Sequence, residues 1–133
     1  MRPEIYGTRD SRLRADVRRL CRQVTRDFKP GAATVNVIFV TDRRIHALNR
    51  RFLKRDRPTN VISFNCDEPH LPGEPRLLGE VYVSRDRAHA QAREYGVSYA
   101  SELRRLVLHG LLHLLGLTHH EMEPYYRMYL GTQ

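Results

Sequence analysis

Histidines stand at 109, 113 and 119 in the run His109-Gly110-Leu111-Leu112-His113-Leu114-Leu115-Gly116-Leu117-Thr118-His119. Residues four apart on an α-helix lie on one face, one turn apart, so the rings of His109 and His113 can converge on a single ion. Gly116 suits the left-handed conformation that closes a helix and turns the chain, which lets His119 approach the same point from outside the helix. Three neutral imidazoles with a fourth position open to water or substrate describe a catalytic site for one divalent transition metal, zinc first among them. A structural site would fill all four positions with protein ligands. Histidine ligands also suit nickel, copper or iron. A lone histidine in an apolar helix is ordinarily a core residue with a hydrogen-bond partner. Here two lie in a helix from about Tyr99 to Leu115 that is apolar nearly all round, where burying them is costly unless something binds them. His120 reads as exposed, or as a neighbour that supports a ligand.

The spacing nearly matches the zinc peptidase signature, in which Glu follows the first His and a third His comes six residues after the second. Gly110 stands where that glutamate would be, so peptide hydrolysis by that route lacks its proton acceptor. Glu80, Glu102 and Glu121 are the other carboxylates within reach along the sequence.

Residues 109 to 119 resemble the motif His-Gly-x-Leu-His-Leu-x-Gly-Tyr-Asp-His of the YbeY-type endoribonucleases, also called rRNA maturation factors. Leu117 and Thr118 depart from Tyr-Asp without removing a ligand. Upstream, Leu48-Asn49-Arg50-Arg51-Phe52 resembles the family's Leu-Asn-x-x-Tyr/Phe, and Asp56-Arg57-Pro58-Thr59-Asn60-Val61-Ile62-Ser63-Phe64 resembles its Asp-x-Pro-Thr-Asp/Asn-Val-Leu-Ser-Phe. Leu78-Gly79-Glu80-Val81 resembles its Leu-Gly-Asp-Ile. The motifs follow in order over residues 35 to 120 or thereabouts.

The resemblance implies a metal-dependent endoribonuclease acting on single-stranded or structured RNA, with work in ribosomal RNA maturation and ribosome quality control. It implies His109, His113 and His119 as metal ligands in a metzincin-like arrangement, with the strand holding Ser63 and Phe64 beside the metal cleft. Two positions depart from it. An arginine usually follows the aromatic of the Leu-Asn-x-x-Tyr/Phe segment and serves RNA, yet Leu53 is found there. Arg51, Lys54 or Arg55 are the neighbouring sources of charge, each residue along a helix turning a side chain by about 100°. Glu80 replaces the usual Asp and is the candidate catalytic carboxylate, as base or as support for a ligand, with an exposed strand residue the equal alternative.

The chain carries 23 Lys+Arg against 15 Asp+Glu, a formal charge of +8, with a pI near 10.1. Such a surface draws polyanions. The arginines from Arg9 to Arg26 read as a solvated helix face opposite an apolar stripe of Leu13, Val17, Leu20, Val24 and Phe28. The segment Arg43 to Arg57, which includes Phe52, is the better RNA surface. Arg50, Arg51, Lys54, Arg55 and Arg57 are candidates for phosphate contacts, joined by Thr59, Asn60 and Ser63 at a strand start. A ribosome or ribosomal protein would be served equally by this charge. Two rival readings keep the histidines: a peptidase-like hydrolase with its base elsewhere, and a non-catalytic ribosome-assembly factor whose metal only locks the fold.

Cys21 and Cys66 are too few for a disulfide framework and read as thiols in a reducing compartment. No apolar run suggests a secretory signal or a membrane span, so a cytoplasmic protein is expected. The patterning predicts one α+β domain over residues 1–133, a small mixed sheet packed with about five helices. Asp10 or Ser11 caps a first helix ending at Pro30-Gly31, and Thr34 to Thr41 is a strand. Asp42 caps a helix through Phe52. Asn60 to Phe64 and Gly79 to Ser84 are strands separated by a Pro-rich loop, Asp67 to Leu77. A helix from Arg85 to Tyr95 ends at Gly96, Ser98 caps the histidine helix, and a last short helix follows His119.

Overall fold

The computed structural model describes residues 1–57, 59–66 and 69–131. Four strands and five helices follow in the order β1 (Arg2–Tyr6), α1 (Ser11–Phe28), β2 (Ala33–Val40), α2 (Asp42–Leu53), β3 (Val61–Asn65), β4 (Arg76–Ser84), α3 (Arg85–Tyr95), α4 (Tyr99–Leu114) and α5 (His119–Leu130). The sheet runs β1-β2-β4-β3. Its first three strands are parallel, and β3 lies antiparallel to β4 as one edge. The protein is thus α+β with a mixed sheet and five helices, as its sequence pattern implies.

Alternation along β2 and β4 divides the core in two. Val35, Val37, Phe39, Val81 and Val83 point to one face, where they meet Leu20 and Val24 of α1 and the leucines of α4. The other face is covered in part by α2, whose Ile45 and Leu48 pack on Val40 and Ile62, with Ile38, Phe64 and Tyr82 alongside. Six apolar residues of α4 (Leu103, Leu106, Val107, Leu108, Leu111 and Leu112) are nearly or completely buried. At about 1.5–3 kcal/mol for each fully buried side chain, they fix this helix against the sheet more firmly than any capping bond could.

Several boundaries move by a residue or two. Asp10 caps α1 and Thr41, not Asp42, caps α2. Asp42 is the first residue of α2 and receives the Ser84 hydroxyl at 2.8 Å. β4 begins at Arg76, inside the expected loop, because its first residues pair with Ala33 and Thr34. Within that loop, Asp67 and Glu68 lie outside the described residues, as does Pro58 of the upstream motif. β1 carries no strand signal in the sequence: a five-residue segment with Arg2, Pro3 and Glu4 has no apolar alternation. As an edge strand it tolerates a proline, whose missing N–H can face outward. Among the described residues, no helix is long and apolar enough to cross a membrane.

Candidate metal centre

Ser98 opens α4, its hydroxyl accepting from the Ser101 amide at 3.0 Å. The helix ends where Gly116 takes φ +86°, the left-handed turn that its position predicted. Thr118 then starts α5 through a reciprocal pair with Glu121. The Thr118 hydroxyl accepts from the Glu121 amide, and the Glu121 carboxylate accepts from the Thr118 amide at 2.9 Å. This capping box holds His119 in the first turn of α5. The ring centroids of His109 and His119 are 5.0 Å apart, and those of His109 and His113 are 6.4 Å apart.

Two imidazoles bound tetrahedrally at about 2.0–2.1 Å per nitrogen put their centroids about 5 Å apart. His109 and His119 meet that spacing and His113 stands wider. No group of three His, Cys, Asp or Glu is drawn to ligating distance among the described residues. The chemistry of the donor set nonetheless fits a divalent transition ion. All three histidines line one cavity of about 440 Å³. Burial, followed by the neighbouring His119, His113 and Arg105, pushes the His109 imidazole down to about pKa 4, so it remains a neutral donor at ordinary pH.

His109 is also held from behind. Its Nδ1 lies 2.7 Å from the Tyr126 hydroxyl, and that hydroxyl donates to Met122 Sδ at 3.6 Å. With the phenolic proton on sulfur, Nδ1–H donates to the phenol oxygen and Nε2 keeps its lone pair for a ligand. Nothing in the spacing of Tyr125, Tyr126 and Tyr129 along the sequence tells which of them faces α4.

Gly110 has a reason beyond the absence of glutamate. A Cβ there would stand 2.3 Å from Val81 Cγ1 and 3.2 Å from Ser63 Oγ, so α4 touches β4 through its backbone. Ser63 donates its hydroxyl to the Gly110 carbonyl at 3.0 Å, and the Asn65 amide nitrogen donates to the Leu114 carbonyl at 3.0 Å. These two bonds rivet the edge strand to the histidine helix.

The remaining candidates separate. Arg55, Thr59, Asn60 and Ser63 line the histidine cavity together with Asn49 and Leu53. Arg50, Arg51 and Lys54 line a different depression, beside Arg44, Phe52 and Tyr82. Arg57 lines neither; its carbonyl accepts from the buried Asn49 amide at 2.8 Å. Of the three residues able to replace the family arginine, only Arg55 reaches the cavity that Leu53 walls. Glu80 is not brought to the histidines. Strand alternation turns it to the sheet face opposite Val81 and Gly110, where it accepts from the Tyr82 hydroxyl at 3.1 Å and the Asn36 amide at 3.3 Å. Glu102 is 1% exposed and ion-paired with Arg105. Hydrogen bonds from Thr118 hold the Glu121 carboxyl below the usual range.

Fold and site together define a small α+β protein with three histidines gathered by one helix and the capped turn after it, under an antiparallel edge strand. The chain belongs to the family described as Endoribonuclease YbeY, whose model matches residues 5–130. Relatives bearing that name include one from Oenococcus oeni, 47% identical over 88 residues, covering 64% of this chain and 58% of that protein. Another, from Lysinibacillus sphaericus, is 45% identical over 97 residues, covering 68% of this chain and 60% of its own length. The matches therefore span about three fifths of these curated relatives. The solution structure of TM1509 from Thermotoga maritima is similar with a TM-score of 0.66 and 30% identity, covering 96% of this chain and 86% of that one.

Proposed function

We propose that this protein is a metal-dependent endoribonuclease that cuts single-stranded or structured RNA during ribosomal RNA maturation, as a single cytoplasmic domain working on or near the ribosome. In this reading His109, His113 and His119 hold one divalent transition metal, with zinc the first choice. The carrying observation is the cavity in which three imidazoles share their walls with Arg55 and with no carboxylate among the described residues.

A bound ion would polarise a phosphoryl oxygen and lower the pKa of its water. The chain supplies the rest. Arg55 pairs with a backbone phosphate, and Thr59 and Asn60 offer polar contacts at the strand start. Leu53 gives an apolar wall where a base or ribose can rest. Ser63 has its proton committed to Gly110, so it positions β3 and does not donate to substrate. A cavity with no carboxylate among the described residues favours an anionic phosphodiester over a peptide, because an anion meets no like charge from those walls and they supply no peptidase base.

The test is incubation of the purified protein with labelled RNA and with casein. RNA cleavage that stops on chelation and returns with added Zn²⁺ is expected, with casein intact. Casein cleavage would move the reading to a peptidase-like hydrolase, and ribosome binding without any cleavage to an assembly factor.

Two further results follow from the histidine geometry. Tyr126→Phe removes the acceptor for Nδ1–H, and loss of such a supporting bond weakens metal binding by about 10–100-fold. Competition against a chromophoric chelator reads this, with the melting temperature nearly unchanged. In metal-free protein, the folded-state pKa of His109 lies below its unfolded value of about 6.5. The unfolded chain binds the extra proton between the two, so the His109 contribution to stability is present above about pH 6.5 and lost as pH falls toward 4. Denaturant midpoints measured across that window should fall with acid.

A further inference from the structure

The depression that collected Arg50, Arg51 and Lys54 lies apart from the histidines, on the far side of the last turn of α2. It encloses about 660 Å³, with Arg44, Arg50, Arg51 and Lys54 on its walls beside Phe52 and Tyr82. Among the described residues none of these four cations forms an ion pair, whereas Arg19, Arg26, Arg87, Arg104 and Arg105 all do. A smaller hollow of about 270 Å³ continues from it, sharing Leu48, Phe52 and Tyr82 and ending at Phe64 and Glu80. The three aromatic rings form a ladder. Phe52 to Phe64 is 5.5 Å and Phe64 to Tyr82 is 5.9 Å between centroids, both edge-on. Phe52 is 53% exposed. The Arg51 guanidinium lies over its ring at 5.2 Å, so this face accepts a flat group, and an incoming base would displace Arg51 from the ring toward the phosphate.

We propose that this groove is a second RNA subsite, in which a base stacks on Phe52, its phosphate meets Arg51 and Lys54, and its edge is read by Glu80. The inference rests on the endoribonuclease reading and deepens it: Lys54 belongs to this groove and the adjacent Arg55 to the histidine cavity, so one strand can engage both across the end of α2. Each part of a nucleotide finds its chemistry here. Unpaired cations take phosphate, an aromatic face takes a base, and a fixed carboxylate takes N–H donors. An acidic peptide side chain offers neither a flat face for Phe52 nor paired N–H donors for Glu80.

The carboxylate also sets a preference. Tyr82 and Asn36 use one lone pair on each Glu80 oxygen and hold the group in place, leaving one on each to accept. Guanine presents two adjacent donors, N1–H and the N2 amine, that match such a pair. Uracil presents one N–H flanked by carbonyls that a carboxylate repels. Guanine is therefore favoured over uracil in this subsite.

Fluorescence anisotropy with labelled single-stranded decamers, one of uridines and one with central guanosines, tests this in chelator, where binding is read without cleavage. The guanosine decamer should bind more tightly. Phe52→Ala should weaken it at least about fivefold, and Glu80→Gln should bring the two decamers to equal affinity while circular dichroism shows both variants folded. Unchanged binding in Phe52→Ala, a guanosine preference that survives Glu80→Gln, or competition by polyglutamate as effective as by RNA would each overturn the subsite. Binding that depends on Phe52 in a protein that never cleaves RNA would remove the endoribonuclease reading and leave the subsite. Cleavage with unaltered Phe52→Ala binding would do the reverse.

Discussion

On the proposed reading, His113→Ala is expected to lose more than a hundredfold in RNA cleavage and in zinc retained after dialysis, and His120→Ala to stay within about twofold of the parent in both. The bound follows from what weaker changes cost. Removing a group that merely supports a ligand lowers metal affinity or activity by about 10–100-fold, so removing one of the three proposed donors is expected to exceed that range. His113 suits the test because its side chain is exposed at the rim of α4, one residue before the buried Leu114. Truncating it removes no core packing, and the melting temperature of metal-free protein should stay within a few degrees. His120 is the matched control: the neighbour of His119 on α5, equally exposed, and absent from the cavity walls. Metal content by elemental analysis and cleavage of a labelled RNA give two independent readings. Full activity in a folded His113→Ala would end the three-histidine reading. Equal losses in both variants would point to a general effect of α5 and not to coordination.

Which parts of this site could be read from the sequence depends on the range over which each signal acts. Helical periodicity and capping chemistry are local, so α3 with Gly96, α4 with Ser98, and the turn at Gly116 stood nearly where the structure has them. The convergence of His109 and His119 follows from the same local rules. What the sequence could not carry is relations across the sheet. β1 pairs in parallel with a strand some thirty residues away, and its own residues have no alternation to betray it. Glu80 lay in the right motif and still turned to the wrong face, because alternation assigns parity along β4 but not which parity faces α4. The basic segment read as one surface, yet α2 ends inside it. Its last turn sends Arg50, Arg51 and Lys54 to one side and Arg55 to the other, a division set by the left-handed backbone of Lys54 at φ 58°. Tyr126 was hidden for a similar reason, since its partner His109 is 17 residues away on a different helix.

Gly110→Ala lowers the stability of the protein, although in an exposed helix the same change would raise it. The gain in helix propensity is about 1 kcal/mol. Against it stands a new Cβ at 2.3 Å from Val81 Cγ1, where both α4 and β4 are buried and neither can move without disturbing the leucines around them. Overpacking of this kind typically costs about 1–3 kcal/mol, so it outweighs propensity unless Val81 turns aside freely. Val81 is fully buried in the main core cluster, which leaves its Cγ atoms little room to rotate. A net loss of up to about 2 kcal/mol and a melting temperature lower by up to about 8 °C are expected. Any shift of α4 away from the sheet also stretches the bond from Ser63 to the Gly110 carbonyl, so cleavage and metal retention should fall alongside stability. The double substitution with Val81→Ala separates the causes. It opens the space that the new methyl needs, so the damage done by Gly110→Ala should be smaller on that background, a coupling that thermal denaturation of the four proteins measures. A stabilising Gly110→Ala, or strictly additive effects in the cycle, would mean that the glycine is not held by contact with β4. Gly110→Glu would then be tolerated as well, and the missing peptidase carboxylate would need a cause other than lack of room.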